Sequence, residues 1–389
     1  MEPRSTFQRS LSILKSLIEI ESVNPTLVPG GAGERRIAEY LLSLFQAEGI
    51  ASRLEEICPG RFNVVASARG ARPGPRLLLN GHLDTVSAAG MTAPFAAIER
   101  DGKIFGRGAL DMKAGLAAAA AALIAIHNLR EWLSGEVVFA GVADEEDLSL
   151  GTRHFLQNWA VGSPFDFALV AEPTDLKVCS AHKGFAWLEV TTEGVAAHGS
   201  RPRAGVDAIC AMGKVLDALE LLEQRLQSGP PHALLGTGSL HASLIEGGRE
   251  WSSYPDRCVL KYERRTIPAE SDAVVEAELD TILGKLRQSD SRFRAQGRLV
   301  VSRAPLEVDR QQPSLRRFFD AAQARLGRVE WGTASFWTDA ALLSEAGIPV
   351  AIFGPRGEGL HSLEEFVVAE DVVACAEIFY RFVMGRPGA

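Results

Sequence analysis

The chain has 389 residues, more than one hydrophobic core usually organises, so two domains are expected. Hydrophobic residues at 46% and charged residues at 23% exclude a disordered chain and fit a soluble globular one. A formal net charge of -8, with no run of Lys and Arg, argues against a nucleic-acid binder, because phosphate affinity needs clustered cations.

In chain order, residues 1–21 place Phe7, Leu11, Leu14, Leu17 and Ile18 on one helical face and show no signal-peptide core. Residues 34–48 predict a second amphipathic helix, stopped by Gly49. Short strands at 63–68 and 76–79 follow, the second leading into Asn80-Gly81-His82-Leu83-Asp84, and Asp101-Gly102 signals a hairpin. Residues 115–126 are the longest apolar run; a bilayer needs about 20 residues, so a buried Ala-rich helix and no membrane partner are expected. Strand 136–143, helix 150–158 and strand 167–171 complete an alternation that implies an α/β fold: a mixed, largely parallel twisted sheet flanked by helices. Between 184 and 304 the order becomes βαββαβ, an α+β unit with a four-stranded antiparallel sheet and two helices. Helices at 314–326, 339–346 and 370–383 and a strand at 349–353 then return to the first texture. Residues 184–304 are therefore expected as an insertion into one domain made of 1–183 and 305–389. Cys58, Cys179, Cys210, Cys258 and Cys375 form no CxxC pair, which speaks for a reducing, cytoplasmic setting.

Several chemistry-bearing residues sit where apolar strands end, the edge at which open α/β sheets gather ligands. They are His82 and Asp84, the acids of Asp144-Glu145-Glu146-Asp147, and Glu172 in Glu172-Pro173. Asp111 precedes the Ala-rich helix, and His361 lies in a loop after a late strand. Each alone has an ordinary explanation: a strand-end His bound to a turn, a helix cap, a solvated acidic loop, a surface His. A shared metal centre would explain them together, since a carboxylate that ligates through both oxygens can bridge two cations.

As an ordered set, His82-x-Asp84, Gly108-x-x-Asp111, Glu145-Glu146, Glu172 and the late His361 resemble the M20 metallopeptidases and amidohydrolases. That family includes acetylornithine deacetylases, succinyl-diaminopimelate desuccinylases, aminoacylases and carboxypeptidase G relatives, and the resemblance covers nearly the whole chain. It implies that His82, Asp111 and Glu172 hold one zinc and Asp111, Glu146 and His361 a second, with cobalt or manganese as alternatives. Asp84 would orient His82, and Glu145 would be the general base. Charge counting agrees: three ligand carboxylates are balanced by two divalent cations and one hydroxide, whereas alone they would repel one another.

The resemblance also makes the inserted unit a lid and dimerisation domain of a homodimer. His198 would polarise the scissile carbonyl in the partner's active site, and Arg265 would bind the substrate carboxylate, with Arg264 as the other candidate. Gly354 and residues 338–340 would line the substrate cleft. Arg356, where many members have Gly, would add a cation favouring an acidic acyl group or an acidic side chain. The implied reaction is hydrolysis of the amide bond of an N-acyl amino acid, as in acetylornithine deacetylation; the alternative is a carboxypeptidase or dipeptidase acting on a short peptide. A catalytically silent binding protein on this fold would need a broken motif, and neither a ligand nor the base is missing.

Overall fold

The computed structural model describes residues 3–160 and 164–385. The chain divides into two compact units, one of Met1–Ser180, Val308–Thr333 and Thr338–Ala389, the other of Ala181–Glu307 and Ala334–Trp337.

The main sheet of the larger unit orders its strands as Ala51–Cys58, Arg61–Arg69, Ser134–Val142, Arg72–His82, Phe167–Val170, Val350–Ile352 and Val178–His182. The three central pairings are parallel, as strand–helix alternation requires. Pairings farther out are antiparallel. Ala51–Cys58 and Val178–His182 carry no strand signal in the sequence. The first is a half-exposed edge strand containing Arg53, Glu55 and Glu56, and the second is short and includes Ser180 and His182.

The Ala-rich helix, Ala114–Asn128, is buried on every face from Ala114 to Ile126. With the preceding turn it is apolar and long enough by composition to cross a bilayer, yet 94% of that window is buried inside the fold. Its small side chains let it lie close on the sheet. At its start, a Cβ on Gly115 would come within 1.8 Å of the Ala171 carbonyl oxygen, the residue before Glu172. Helices Pro3–Glu19 and Ala369–Met384 pack against its other faces. The predicted hairpin is present, with Asp101 and Gly102 both at positive φ, 53° and 72°, as a two-residue turn matched to strand twist demands.

Register then places the site. His82 pairs with Val142 and Asn80 with Val170, so three neighbouring parallel strands finish together. His82, the turn after Val142 and Glu172 consequently emerge side by side at one sheet edge.

The smaller unit is a four-stranded antiparallel sheet in the order Ser239–Gly247, Arg257–Thr266, Gly184–Glu193, Arg294–Arg303. Helices Ala208–Ser228 and Asp272–Ser289 bury Met212, Val215, Leu219, Val275 and Leu279 against Leu188, Val190 and Leu260 of that sheet. Strand alternation supplies one apolar face for this packing.

Candidate metal centre

Two ligand sets share one residue. His82, Asp111 and Glu172 bring ligand atoms within 4.8 Å of one another, and Asp111, Glu146 and His361 do the same. The two oxygens of Asp111 point to different histidines: Oδ1 lies 3.0 Å from His82 Nε2, and Oδ2 lies 3.2 Å from His361 Nε2. Glu172 Oε1 is 3.7 Å from His82 Nε2, and Glu146 Oε2 is 3.2 Å from His361 Nε2. A carboxylate placed this way can serve two cations at once.

Electrostatics favour added positive charge. Among the protein's own groups, burial pushes the carboxyls of Glu145, Glu146 and Glu172 up, with neighbouring acids adding to the effect. Burial also opposes ionisation of Asp111, but His361 and His82 outweigh it and hold that carboxyl well below the usual range. The His361 ring rises to about 10 through its hydrogen bonds to Asp111 and Glu146. Buried Glu146 Oε1 has no hydrogen-bond partner among the described residues. An orphaned carboxylate oxygen, beside a set made of imidazoles and carboxylates, fits a divalent cation of the zinc type.

The base candidate and the turn are held by backbone. The strand carrying His82 ends at that residue, so Asp84 does not continue it. His82 Nδ1 is 2.9 Å from the Asp84 carbonyl oxygen, while the Asp84 carboxylate is 3.7 Å away. The expected orienting contact therefore runs through the Asp84 main chain. Its carboxylate instead accepts from the Glu145 N–H at 3.2 Å and the Glu146 N–H at 3.3 Å.

Sequence reasoning gave no role to Glu365 or Arg107. Buried Glu365 accepts from the N–H groups of Gly108, Leu110 and Asp111, at 3.0, 2.8 and 3.0 Å. Arg107 donates to Glu365 at 2.6 Å and to the Ser362 carbonyl at 2.8 Å. This pair ties the Asp111 turn to the His361 loop. Its members are more than 250 residues apart, so no local pattern announces it.

A sequence profile of peptidase family M20/M25/M40 matches residues 78–385. The chain belongs to this family. Acetylornithine deacetylase of Myxococcus xanthus is 29% identical over 361 residues, covering 89% of this chain and 91% of that protein. A tripeptidase structure from Staphylococcus aureus superposes with a TM-score of 0.79 at 21% identity, covering 97% of this chain and 98% of that one. A Bacillus subtilis structure described as a dinuclear metal binding peptidase of family M20 has a TM-score of 0.75 at 18% identity, with 98% of each chain covered. At those identities the structural matches establish the fold. The M20 chain is thus a mixed α/β hydrolase-family protein with a candidate two-cation centre.

Other expected site residues divide differently. His198 lies on an exposed loop of the smaller unit, its Nδ1 2.8 Å from Ser200 Oγ. Arg264 is fully buried and bound to Glu270 and Glu278, so it is not available to a substrate. Arg265 donates through Nε to Glu263 at 2.7 Å and stays one-third exposed, leaving it as the candidate reader of a carboxylate. Arg356 does not offer a spare cation, because Asp371 pairs with it at 2.6 and 2.8 Å. Thr338 and Asp339 are buried, and Asp339 accepts from Thr152 Oγ1 at 2.5 Å.

Gly354 sits against Glu172: a Cβ there would lie 2.3 Å from the Glu172 carbonyl oxygen. Gly354→Ala should destabilise the chain by about 1–3 kcal/mol through this overlap and weaken metal binding by moving Glu172. Thermal denaturation and chelator competition check both; an unshifted variant would show that the backbone yields there.

Proposed function

We propose that the chain is a two-metal amidohydrolase that removes an acyl group from the α-amine of an amino acid. The observation carrying this reading is the pair of ligand sets joined by Asp111, with Glu145 beside them. His82, Asp111 and Glu172 would hold one divalent ion, and Asp111, Glu146 and His361 the other. Zinc suits these donors, and cobalt or manganese fits them as well. Bound ions of this kind acidify a water and polarise the scissile carbonyl.

The chain's own groups do the rest. The Glu145 carboxylate makes no hydrogen bond among the described residues, while its N–H is anchored on Asp84. That carboxylate takes the water's proton and returns it to the leaving amine. His198 donates to the carbonyl oxygen as charge develops. Arg265 pairs with the α-carboxylate through its guanidinium fork. The 29% identity to an acetylornithine deacetylase supports an acylated amino acid as substrate.

The same reading makes the protein a homodimer through the smaller unit. Strand Ser239–Gly247 is an edge of its sheet, with Leu244 65% and Ile245 57% exposed, an arrangement that invites pairing with a second copy. If His198 serves the partner's site, mixing His198→Ala with Glu145→Gln subunits restores activity in the heterodimers. Absence of rescue counts against a shared site.

A panel of N-acetyl, N-succinyl and N-formyl amino acids and dipeptides, assayed with zinc or cobalt, tests the reaction. Cleavage of N-acyl amino acids supports deacylation; cleavage of dipeptides alone assigns the peptidase reading instead. Chelation should abolish turnover and lower the thermal midpoint, because a ligand at a hundredfold its Kd that binds only the folded chain adds about 2.7 kcal/mol.

A further inference from the structure

Asn24, Glu34 and Arg61 reach the metal-centre turn from the first part of the chain, ahead of the matched residues 78–385. Val23 bridges Thr85 in a short parallel pairing, and the Asn24 N–H donates to the Thr85 carbonyl at 2.9 Å. This sets the Asn24 side chain beside Asp84. Its amide nitrogen donates to Asp84 Oδ2 at 2.8 Å and to Asp144 Oδ1 at 3.1 Å. Its Oδ1 accepts from the Thr26 N–H at 3.0 Å, which fixes the way the amide faces.

Asp144 Oδ1 accepts a second hydrogen bond, from Arg61 Nη2 at 2.9 Å. The same guanidinium grips Glu34 through Nε at 2.7 Å and Nη2 at 2.5 Å. All five groups are buried: Asn24, Glu34, Asp84 and Asp144 are 0% exposed and Arg61 is 7%. Three carboxylates and one guanidinium at that depth need every lone pair and proton engaged. A primary amide supplies two donors without adding charge, so Asn24 can lie between Asp84 and Asp144 where a third carboxylate would be repelled. Asp84 is thereby held with its oxygens on the N–H groups of Glu145 and Glu146. Asp144, at the start of the turn, accepts from the Leu148 N–H at 3.3 Å and so clasps the turn's far end.

We propose that Asn24 and Arg61 are positioning residues for the metal centre: Arg61, steadied by Glu34, fixes Asp144, and Asn24 ties Asp144 to Asp84. The Glu145-Glu146 turn is then held so that one carboxylate faces a cation and its neighbour stays free. The proposal rests on the metal-centre reading above. Groups that orient metal ligands from behind typically change metal affinity or activity about 10- to 100-fold when lost.

The test uses the full chain as wild type, Asn24→Ala, Arg61→Met and Arg61→Lys. Cobalt(II) affinity is measured by chelator competition, together with the visible spectrum of the cobalt protein and the thermal midpoint. Values of kcat and KM are taken for the best-cleaved N-acyl amino acid. Asn24→Ala should bind cobalt about 10-fold or more weakly, with an altered spectrum, and lose about 10- to 100-fold in kcat with little change in KM. Arg61→Met should behave alike, and Arg61→Lys should recover most of the loss because an ammonium still pairs with Asp144.

A lowered thermal midpoint with wild-type cobalt affinity, spectrum and kcat in the folded range would mean a purely structural role and overturn the proposal. If Arg61→Met fails to fold, Asn24→Ala decides, because it leaves the Arg61–Glu34 pair whole. A wild type that binds no cobalt overturns the metal reading and this proposal together. In a wild type that binds cobalt but cleaves nothing in the panel, the reaction assignment fails and the cobalt affinities alone decide the proposal.

Discussion

Glu145→Gln is expected to bind two divalent ions per chain as tightly as the parent while kcat falls about 100- to 10,000-fold, the range a positioned acid–base group contributes. Glutamine keeps the size of the side chain and loses only its capacity to take a proton. The anchor survives the change, since it is the Glu145 N–H that donates to Asp84. The carboxylate itself has no hydrogen bond among the described residues, so no network collapses with it. Metal analysis and steady-state kinetics on the same preparation check the two halves. Near-normal turnover would remove Glu145 from proton transfer, and loss of an ion would make it a ligand.

Asp111→Ala should have the other large effect: both ions bind at least about 100-fold more weakly and hydrolysis drops to background. Asp111 alone belongs to both ligand sets, and its two oxygens face His82 and His361 separately. His361→Ala should release one ion, because His82, Asp111 and Glu172 remain together. Equal losses in the two variants would mean that the ions bind as one unit; retention of both in Asp111→Ala would contradict a bridging role. The backbone around position 111 is held through Glu365 independently of the side chain, so the variant is expected to fold.

Much of this site could be read from the sequence because its residues sit at the ends of apolar strands. His82, Glu146 and Glu172 follow runs whose parallel register makes them neighbours, and strand–helix alternation is visible without a structure. The ends of hydrogen-bond chains were not visible. Asn24 meets Asp84 and Asp144 across 60 and 120 residues, and Arg61 meets Asp144 across 83. In the sequence Asp144 is one acid in a cluster of four; in the fold it is fully buried and clasped from two sides. Arg356 reads as a spare cation only until Asp371, in the first turn of the last helix, is brought against it. Strand Ala51–Cys58 escaped because an exposed edge strand does not need an apolar face.

Anomalous diffraction from crystals of the zinc-loaded protein tests the central claim most directly. Two peaks about 3.5–4 Å apart are predicted, one among His82, Asp111 and Glu172 and the other among Asp111, Glu146 and His361, with Asp111 touching both. A single peak, or two peaks that do not share Asp111, would contradict it.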